Sequence, residues 1–404
     1  MYCCLGFIEK TLMVGEADIK QHLKGDRAIW LITVMLGVFS LLAVYSASGS
    51  AFFRNHIGNT EFALVRQLIF ITLGLGLTYI CYSFDYMKYA KVAPILLAVA
   101  VPLLFYTLFF TESVNGSRRW AQIPWLPFSL QTSDVARFAL IIFIARALSI
   151  RQDFIKDFKH AFLPIIIPIT LVCMLIFPAN LSTSILLFIT CILMMFIGRV
   201  SMRYISIMIL IGLLGFIGIW MIGDQFPDLI RVNTWSNRFT EFWTGGGDQI
   251  VKSKIAIAEG GWLGVGPGES FQRNYLAYCY ADFIYAIICE EYGIVGGIVI
   301  LGLYLGLLFR CISIVTRCPK AFGAILAMGL CLNIVIQAFA NIAVSVDLVP
   351  VTGLTLPLVS MGGTSILFTC MSLGIILSVS RYVEEAQLAK VELTDFEKRN
   401  AINI

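Results

Sequence analysis

The chain has 404 residues, of which 59% are hydrophobic and only 13% charged, with a formal net charge of +4. Soluble domains carry roughly twice that charged fraction, and here apolar runs of about 18 residues or more recur, each able to cross a hydrocarbon core. These figures exclude a soluble enzyme, and so small a positive charge gives no reason to expect nucleic acid as a partner.

The apolar runs do not alternate as barrel strands of about ten residues would, so the fold class is an all-α polytopic membrane protein. Residues 1–27 form a polar tail of mixed charge. No cleavable signal is expected, because the first apolar run is itself long enough to span. The sequence then predicts about ten transmembrane helices, at 28–48, 62–82, 90–110, 132–149, 162–178, 181–198, 203–222, 282–309, 321–346 and 360–380. The fifth and sixth are separated only by Pro178-Ala179-Asn180. Residues 28–381 are read as one transmembrane domain, with a large extracytoplasmic loop at 223–281 between helices 7 and 8, and 382–404 as a second polar tail.

Orientation follows from the lysines and arginines, which concentrate in cytoplasmic loops. Placing the N-terminus inside puts 19 of the 29 on that side, at least two in every short inner loop. Both termini are then cytoplasmic, and the long loop, residues 111–131 and residues 347–359 face the opposite side. Chemistry there cannot draw on cytoplasmic ATP, and there is no Walker-type glycine loop. Trp235, Phe239, Phe242, Trp243 and Trp262 in the long loop suggest short helices lying at the membrane surface.

The eleven cysteines show no metal-ligand spacing and read mainly as small apolar filler; Cys279, beside the most polar stretch, is the one to check for exposure. His22, His56 and His160 all lie far from that stretch, which argues against histidine acid–base chemistry.

The most informative stretch is 249–297. Gly260-Gly261-Trp262-Leu263-Gly264-Val265-Gly266-Pro267-Gly268 leads through Gln272 to Asp282, which opens an apolar helix carrying Glu290 and Glu291. A carboxylate at a helix N-terminus either caps it through the dipole or does chemistry, and position alone does not decide. Glu290 would lie about 12 Å along the helix from Asp282 and within ~80° of it, too far for a paired-carboxylate mechanism, while Glu291 points the other way. Asp134 and Arg137 share a helix face at i,i+3, as an interfacial salt bridge or as functional groups; ionisable residues inside spans default to the latter. Arg118-Arg119-Trp120 is either a solvated turn or a phosphate-binding basic pair. Gly362-Gly363-Thr364-Ser365 offers backbone amides to an anion or simply allows close helix packing. Together these features suit an amphiphilic, phosphate-bearing lipid substrate, handled by an enzyme or by a transporter.

The ordered set of motifs resembles the SEDS family, the FtsW/RodA/SpoVE proteins of bacterial cell-wall synthesis. It comprises Val44-Tyr45-Ser46-Ala47-Ser48, Arg66-Gln67, Val114-Asn115-Gly116-Ser117-Arg118-Arg119-Trp120, Gln131-Thr132-Ser133-Asp134 with Arg137, and Gln249 with Ser253, Ala256, Gly260 and Gly261. Asp282-Phe283-Ile284-Tyr285-Ala286, Glu290-Glu291-Tyr292-Gly293 and Pro350-Val351-Thr352-Gly353-Leu354-Thr355-Leu356-Pro357 complete it. The loop before Tyr275-Leu276 and the Gly-Gly-Thr-Ser run look closer to the division branch than to the elongation branch. The resemblance implies a peptidoglycan glycosyltransferase in the bacterial cytoplasmic membrane, at the division septum. It would polymerise lipid II outside the cytoplasm, alongside a class B penicillin-binding protein, other divisome proteins and membrane lipids. It makes Asp282 the catalytic residue. Arg118, Arg119, Trp120, Asp134, Arg137, Lys252, Lys254 and Gln272 are the substrate-binding candidates, and Arg66, Glu290, Glu291, Gly362, Gly363 and Ser365 support them. It leaves room for a divalent cation, magnesium or manganese, without naming its ligands. A lipid II flippase and a non-catalytic scaffold that activates the penicillin-binding protein are the alternatives.

Three departures stand out. The family's Leu-Pro-Glu-x-His-Thr before the aspartate is Leu276-Ala277-Tyr278-Cys279-Tyr280-Ala281 here. Its Gln-Pro-Ser-Glu with a lysine is Gln131-Thr132-Ser133-Asp134 with Arg137. Its Pro-Asp-Leu-Gly-Thr is Ala179-Asn180-Leu181-Ser182-Thr183, which removes an anion.

Overall fold

The structure is a computed structural model and describes residues 25–50, 60–111, 119–121, 129–223, 232–245 and 247–402. Every predicted span falls on a helix: α1 (Arg27–Ser48), α2 (Thr60–Ser83), α3 (Tyr86–Phe110), α4 (Thr132–Ile150), α5 (Leu163–Ile176), α6 (Leu181–Ile197) and α7 (Met202–Gly223). After α8 (Val232–Thr244) and α9 (Asp248–Gly260), both in the long loop, come α10 (Ile284–Arg317), α11 (Ala321–Ser345) and α12 (Thr364–Ile402). Among the described residues eight helices are long and apolar enough to cross a membrane. Of the ten predicted spans, α4 and α6 fall outside that set. α6 has only 17 residues, and α4 carries Asp134, Arg137 and Arg146.

That α4 tolerates these charges follows from its position. Most of its length is buried, from Thr132 to Leu148, between α3, α11, α5 and α6, so neighbouring helices shield it from lipid. α2 and α3 instead expose Phe62, Val65, Ile69, Leu73, Ile95, Val99 and Phe110, as helices against hydrocarbon should. Small residues permit the closest approaches. α2 and α12 meet where a Cβ on Gly74 would lie 2.6 Å from Cys370 Sγ and one on Gly374 2.5 Å from the Thr78 carbonyl. Asp26 caps α1 through the amides of Ala28 and Ile29, and its other oxygen pairs with Arg310 at 2.6 Å, tying the start of α1 to the far end of α10.

The element that organises the site is a break in α10. Gly293 has φ 68° and ψ −172°, which removes the bonds from the amides of residues 294 and 295 to the carbonyls of 290 and 291. The glycine-rich loop after α9 fills the gap. Val265 and Gly266 donate to the carbonyls of Glu290 and Glu291 (2.9 and 3.1 Å), while Ile294 and Val295 donate to those of Gly261 and Trp262 (2.9 and 3.4 Å). Two lost helical bonds are replaced by four. The loop fits only because it is glycine: a Cβ on Gly264 would sit 2.1 Å from the Glu291 carbonyl, and one on Gly293 2.2 Å from that of Trp262.

Both Gly245 and Gly264 have positive φ, but a Cβ on Gly245 would meet nothing within 4 Å. Gly245→Ala should therefore cost about 1 kcal/mol, the left-handed backbone penalty alone. Gly264→Ala adds a backbone collision and should cost at least about 3 kcal/mol. Thermal unfolding in detergent checks this, with the Tm of Gly264→Ala well below that of Gly245→Ala.

Candidate active site

A cavity of about 710 Å³ opens where α10, α11 and α12 begin or end beside α4, α6 and α8. Asp282 stands in its wall. Sequence reading starts the helix at Asp282; the structure starts it at Ile284 and leaves Asp282 in the preceding turn. Four carbonyls around that turn are held. Tyr278 accepts from the amides of Ala281 and Asp282 (2.9 and 3.1 Å), and Tyr280 from that of Met361 (3.0 Å). Ala281 accepts from Ser360 Oγ at 2.5 Å, and Asp282 from Asn341 Nδ2 at 2.7 Å. Asn341 Nδ2 also donates to the Leu354 carbonyl, at 2.6 Å, so one amide group joins the aspartate turn to the loop between α11 and α12. Gly353 lets that loop approach: a Cβ there would stand 3.6 Å from Asp282 Oδ2 and 3.8 Å from Arg238 Nη2.

Four arginines and two aspartates line the cavity, Arg66, Arg119, Arg137 and Arg238 against Asp134 and Asp282, an excess of positive charge suited to an anionic ligand. Burial raises the Asp282 carboxyl above its ordinary value, while the Arg119 and Arg238 guanidiniums pull it back. Arg66 lies 6.0 Å above the Phe70 ring, and Arg238 is oriented by the Val351 carbonyl at 3.1 Å.

A second buried unit lies on α4. Arg137 pairs with Asp134 at 2.8 Å and donates to Gln337 Oε1 at 2.6 Å, and Gln337 in turn donates to the Thr355 carbonyl at 2.8 Å. Asp134 Oδ2 has no hydrogen-bond partner although the residue is only 2% exposed. The short antiparallel pair β1 (Trp120–Ala121) and β2 (Leu130–Gln131) brings Trp120 and Gln131 to the same wall, and the start of α12 adds Gly362, Gly363 and Ser365. Asn180 caps α6 through the Thr183 amide at 3.3 Å.

Asp282, Arg119, Trp120, Asp134, Arg137, Arg66, Gly362, Gly363 and Ser365 are thus brought together, while Arg118 lies outside the described residues. The remaining candidates are placed elsewhere. Lys252 pairs with Asp248 at 2.5 Å and Lys254 with Asp347 at 2.6 Å, and Gln272 Nε2 donates to Glu259 at 3.3 Å. Glu290 accepts from Ser270 Oγ and from the amides of Phe271 and Gln272 (2.5, 2.8 and 3.0 Å), and Glu291 accepts from Ser46 Oγ. These two carboxylates therefore fasten the loop and α1 to the broken helix. Cys279 is 1% exposed and burial pushes its thiol up to about 11, so it is no nucleophile. Arg238 and Gln337 were missed by sequence reading. Arg238 is one basic residue among ten on the outer side, and Gln337 is an uncharged residue mid-helix, so neither carries a local signal.

Among known proteins, residues 26–385 match the FtsW/RodA/SpoVE family model, described as a cell cycle protein. Stage V sporulation protein E of Bacillus subtilis is 34% identical over 361 residues, covering 88% of this chain and 97% of that protein. A probable peptidoglycan glycosyltransferase FtsW of Geobacter sulfurreducens is 31% identical over 375 residues, covering 91% and 98%. Among solved structures, a chain of a peptidoglycan synthase complex superposes with a TM-score of 0.69 at 22% identity, covering 89% of this chain and 98% of that one. The rod shape determining protein RodA of Thermus thermophilus gives 0.64 at 21%, covering 88% and 97%. At these identities both show the fold alone.

Arg137→Met strands a buried carboxylate and should cost about 3–5 kcal/mol. Asp134→Asn together with Arg137→Met removes both charges and should be the more stable protein. Thermal unfolding of the two side by side checks the order.

Proposed function

The chain belongs to the FtsW/RodA/SpoVE family of cell cycle proteins, and from that premise we propose that it is a multi-pass membrane peptidoglycan glycosyltransferase that polymerises lipid II. The observation that carries the reading is a carboxylate on a turn pinned through four of its carbonyls, in a cavity whose other charges are mainly guanidinium. In this reading the cavity faces away from the cytoplasm, and the enzyme works at the division septum with a class B penicillin-binding protein and other divisome proteins.

The donor sugar is α-linked to diphosphate and the product is β-1,4-linked, so a single inverting displacement suffices. The acceptor 4-hydroxyl attacks the donor anomeric carbon, the bond to the diphosphate oxygen breaks, and the hydroxyl proton passes to Asp282. A positioned base of this kind contributes about 10²–10⁴-fold. Arg119 and Arg238 stand near enough to influence Asp282 electrostatically and are placed to neutralise the departing diphosphate, so no general acid is needed. Asp134 and Arg137 extend the polar lining of the cavity. A magnesium or manganese ion sharing the diphosphate would draw most of its ligands from the substrate, since among the described residues no three histidine, cysteine or acidic side chains converge. Lys252 and Lys254, held by Asp248 and Asp347, take no part in the proposed step.

The shifted carboxyl has two consequences of known sign. Asp282 accepts a proton only when ionised, so the rate should rise with pH through its raised pKa and reach a plateau, with the acid limb above the ordinary aspartate value of about 3.9. A folded pKa above the unfolded one also means that ionising Asp282 costs stability as pH rises through it. Asp282→Asn should therefore abolish polymerisation of purified lipid II while its Tm at neutral pH holds or increases. Polymer formed at the wild-type rate would remove Asp282 from the role of base. Wild-type protein that moves lipid II between leaflets without polymerising it would make the chain a flippase. Polymerisation found only in its partner would make it a scaffold.

A further inference from the structure

Tyr278 is one of four non-glycine residues with positive φ among those described, at 57°. A tyrosine gains nothing from the left-handed region by itself, and such a conformation persists where its surroundings over-determine it. Two facts account for it. Its carbonyl is the double acceptor that closes the Asp282 turn, taking the amides of Ala281 and Asp282. Its ring is turned out of the packed segment into the cavity. Leu276, Cys279 and Tyr280 are 1%, 1% and 7% exposed, whereas Tyr278 is 39% exposed and lines the cavity with Asp282. Tyr280, which also lines the cavity, meets the Tyr278 ring in an edge contact, with ring centroids 6.2 Å apart and planes at 62°. The nearby exposed aromatics Phe271 and Tyr275 pack on one another at 5.2 Å and do not line the cavity. The partly exposed Tyr278 and the aspartate therefore belong to one turn and line one cavity.

We propose that Tyr278 is a sugar-binding, specificity-determining residue, its ring stacking on a pyranose of the substrate so that the reacting hydroxyl is presented to Asp282. An aromatic face is the negative pole of the ring quadrupole, and a pyranose offers it a face of weakly positive C–H bonds. The cavity's guanidiniums bind diphosphate but do not distinguish a lipid that carries a sugar from one that does not. The ring does, and its turn also carries the aspartate, so sugar and carboxylate are held by one rigid unit. Hydroxyls at the edge of the sugar would then meet polar lining residues such as Gln131 and Gln249. The inference rests on the glycosyltransferase reading above and adds the element that recognises the carbohydrate.

The test is a binding titration in detergent, in an Asp282→Asn background so that substrate is not consumed, using lipid II and undecaprenyl diphosphate, which has no sugar. Tyr278→Ala should weaken lipid II binding about tenfold and leave undecaprenyl diphosphate unchanged. Tyr278→Phe, which keeps the face, should recover the lost affinity. Tyr278→Gly relieves the backbone strain without restoring a ring and should bind as poorly as Tyr278→Ala. Wild-type-like lipid II binding by the alanine or glycine variant, or equal loss of both lipids, would overturn the proposal. Parent protein that neither binds lipid II nor, with Asp282 intact, polymerises it would instead overturn the glycosyltransferase reading.

Discussion

A backbone amide or carbonyl released from a helix inside an apolar bundle must find a new partner, because no water is at hand and each orphan costs several kcal/mol. The structure meets this demand twice within a dozen residues of α10, at the Gly293 break and at the turn before Ile284. At the break the partners come from the glycine loop, and at the turn from Tyr278, Asn341, Ser360 and Met361. Polar backbone that would otherwise be a liability becomes the means of fixing Asp282 and its neighbours. The glycines of the loop are needed for approach, and the two glutamates after the turn for fastening.

Electrostatics in the cavity follow from the same frame. Arg137 is held by an aspartate and a glutamine on two helices, and Arg238 by a loop carbonyl, so each guanidinium is aimed before any ligand arrives. Such preorganisation is what makes fixed charges effective toward a developing anion. The aspartate itself is poised between burial, which favours its neutral form, and two guanidiniums, which favour the ionised one.

Much of this was legible in the sequence, and the pattern of what was not is instructive. Each apolar run falls on a helix, and eight of those helices among the described residues are long and apolar enough to cross a membrane, because a helix against lipid has to be apolar along its whole length. Asp282, Asp134 and Arg137 declared themselves as charges where charges are costly. Lys252 could have been discounted, since Asp248 stands four residues before it on the same helix. Lys254 could not, because its partner Asp347 is distant in the chain. Glu290 and Glu291 drew attention for the right reason, their cost, but their role depends on Ser270, Ser46 and two loop amides that no local pattern connects to them. Arg238 and Gln337 matter only through where α8 and α11 come to rest. Ordinary residue types leave no trace of that in a linear reading, and the β1–β2 pair, two residues a side, is too short for any periodicity to show.

The two sets of bonds around α10 differ in how far they reach along the chain. The break is closed by Gly261–Gly266 and Glu290–Val295, neighbours that leave the ribosome within moments of one another. The turn that bears Asp282 is tied down by Asn341 and Ser360, made much later. During synthesis the wedge in α10 can therefore be complete while the aspartate still hangs on an untethered turn. The Asp282 turn acquires its tethers only when nearly the whole protein exists, so a prematurely ended chain would carry the closed break in α10 without the tethered turn.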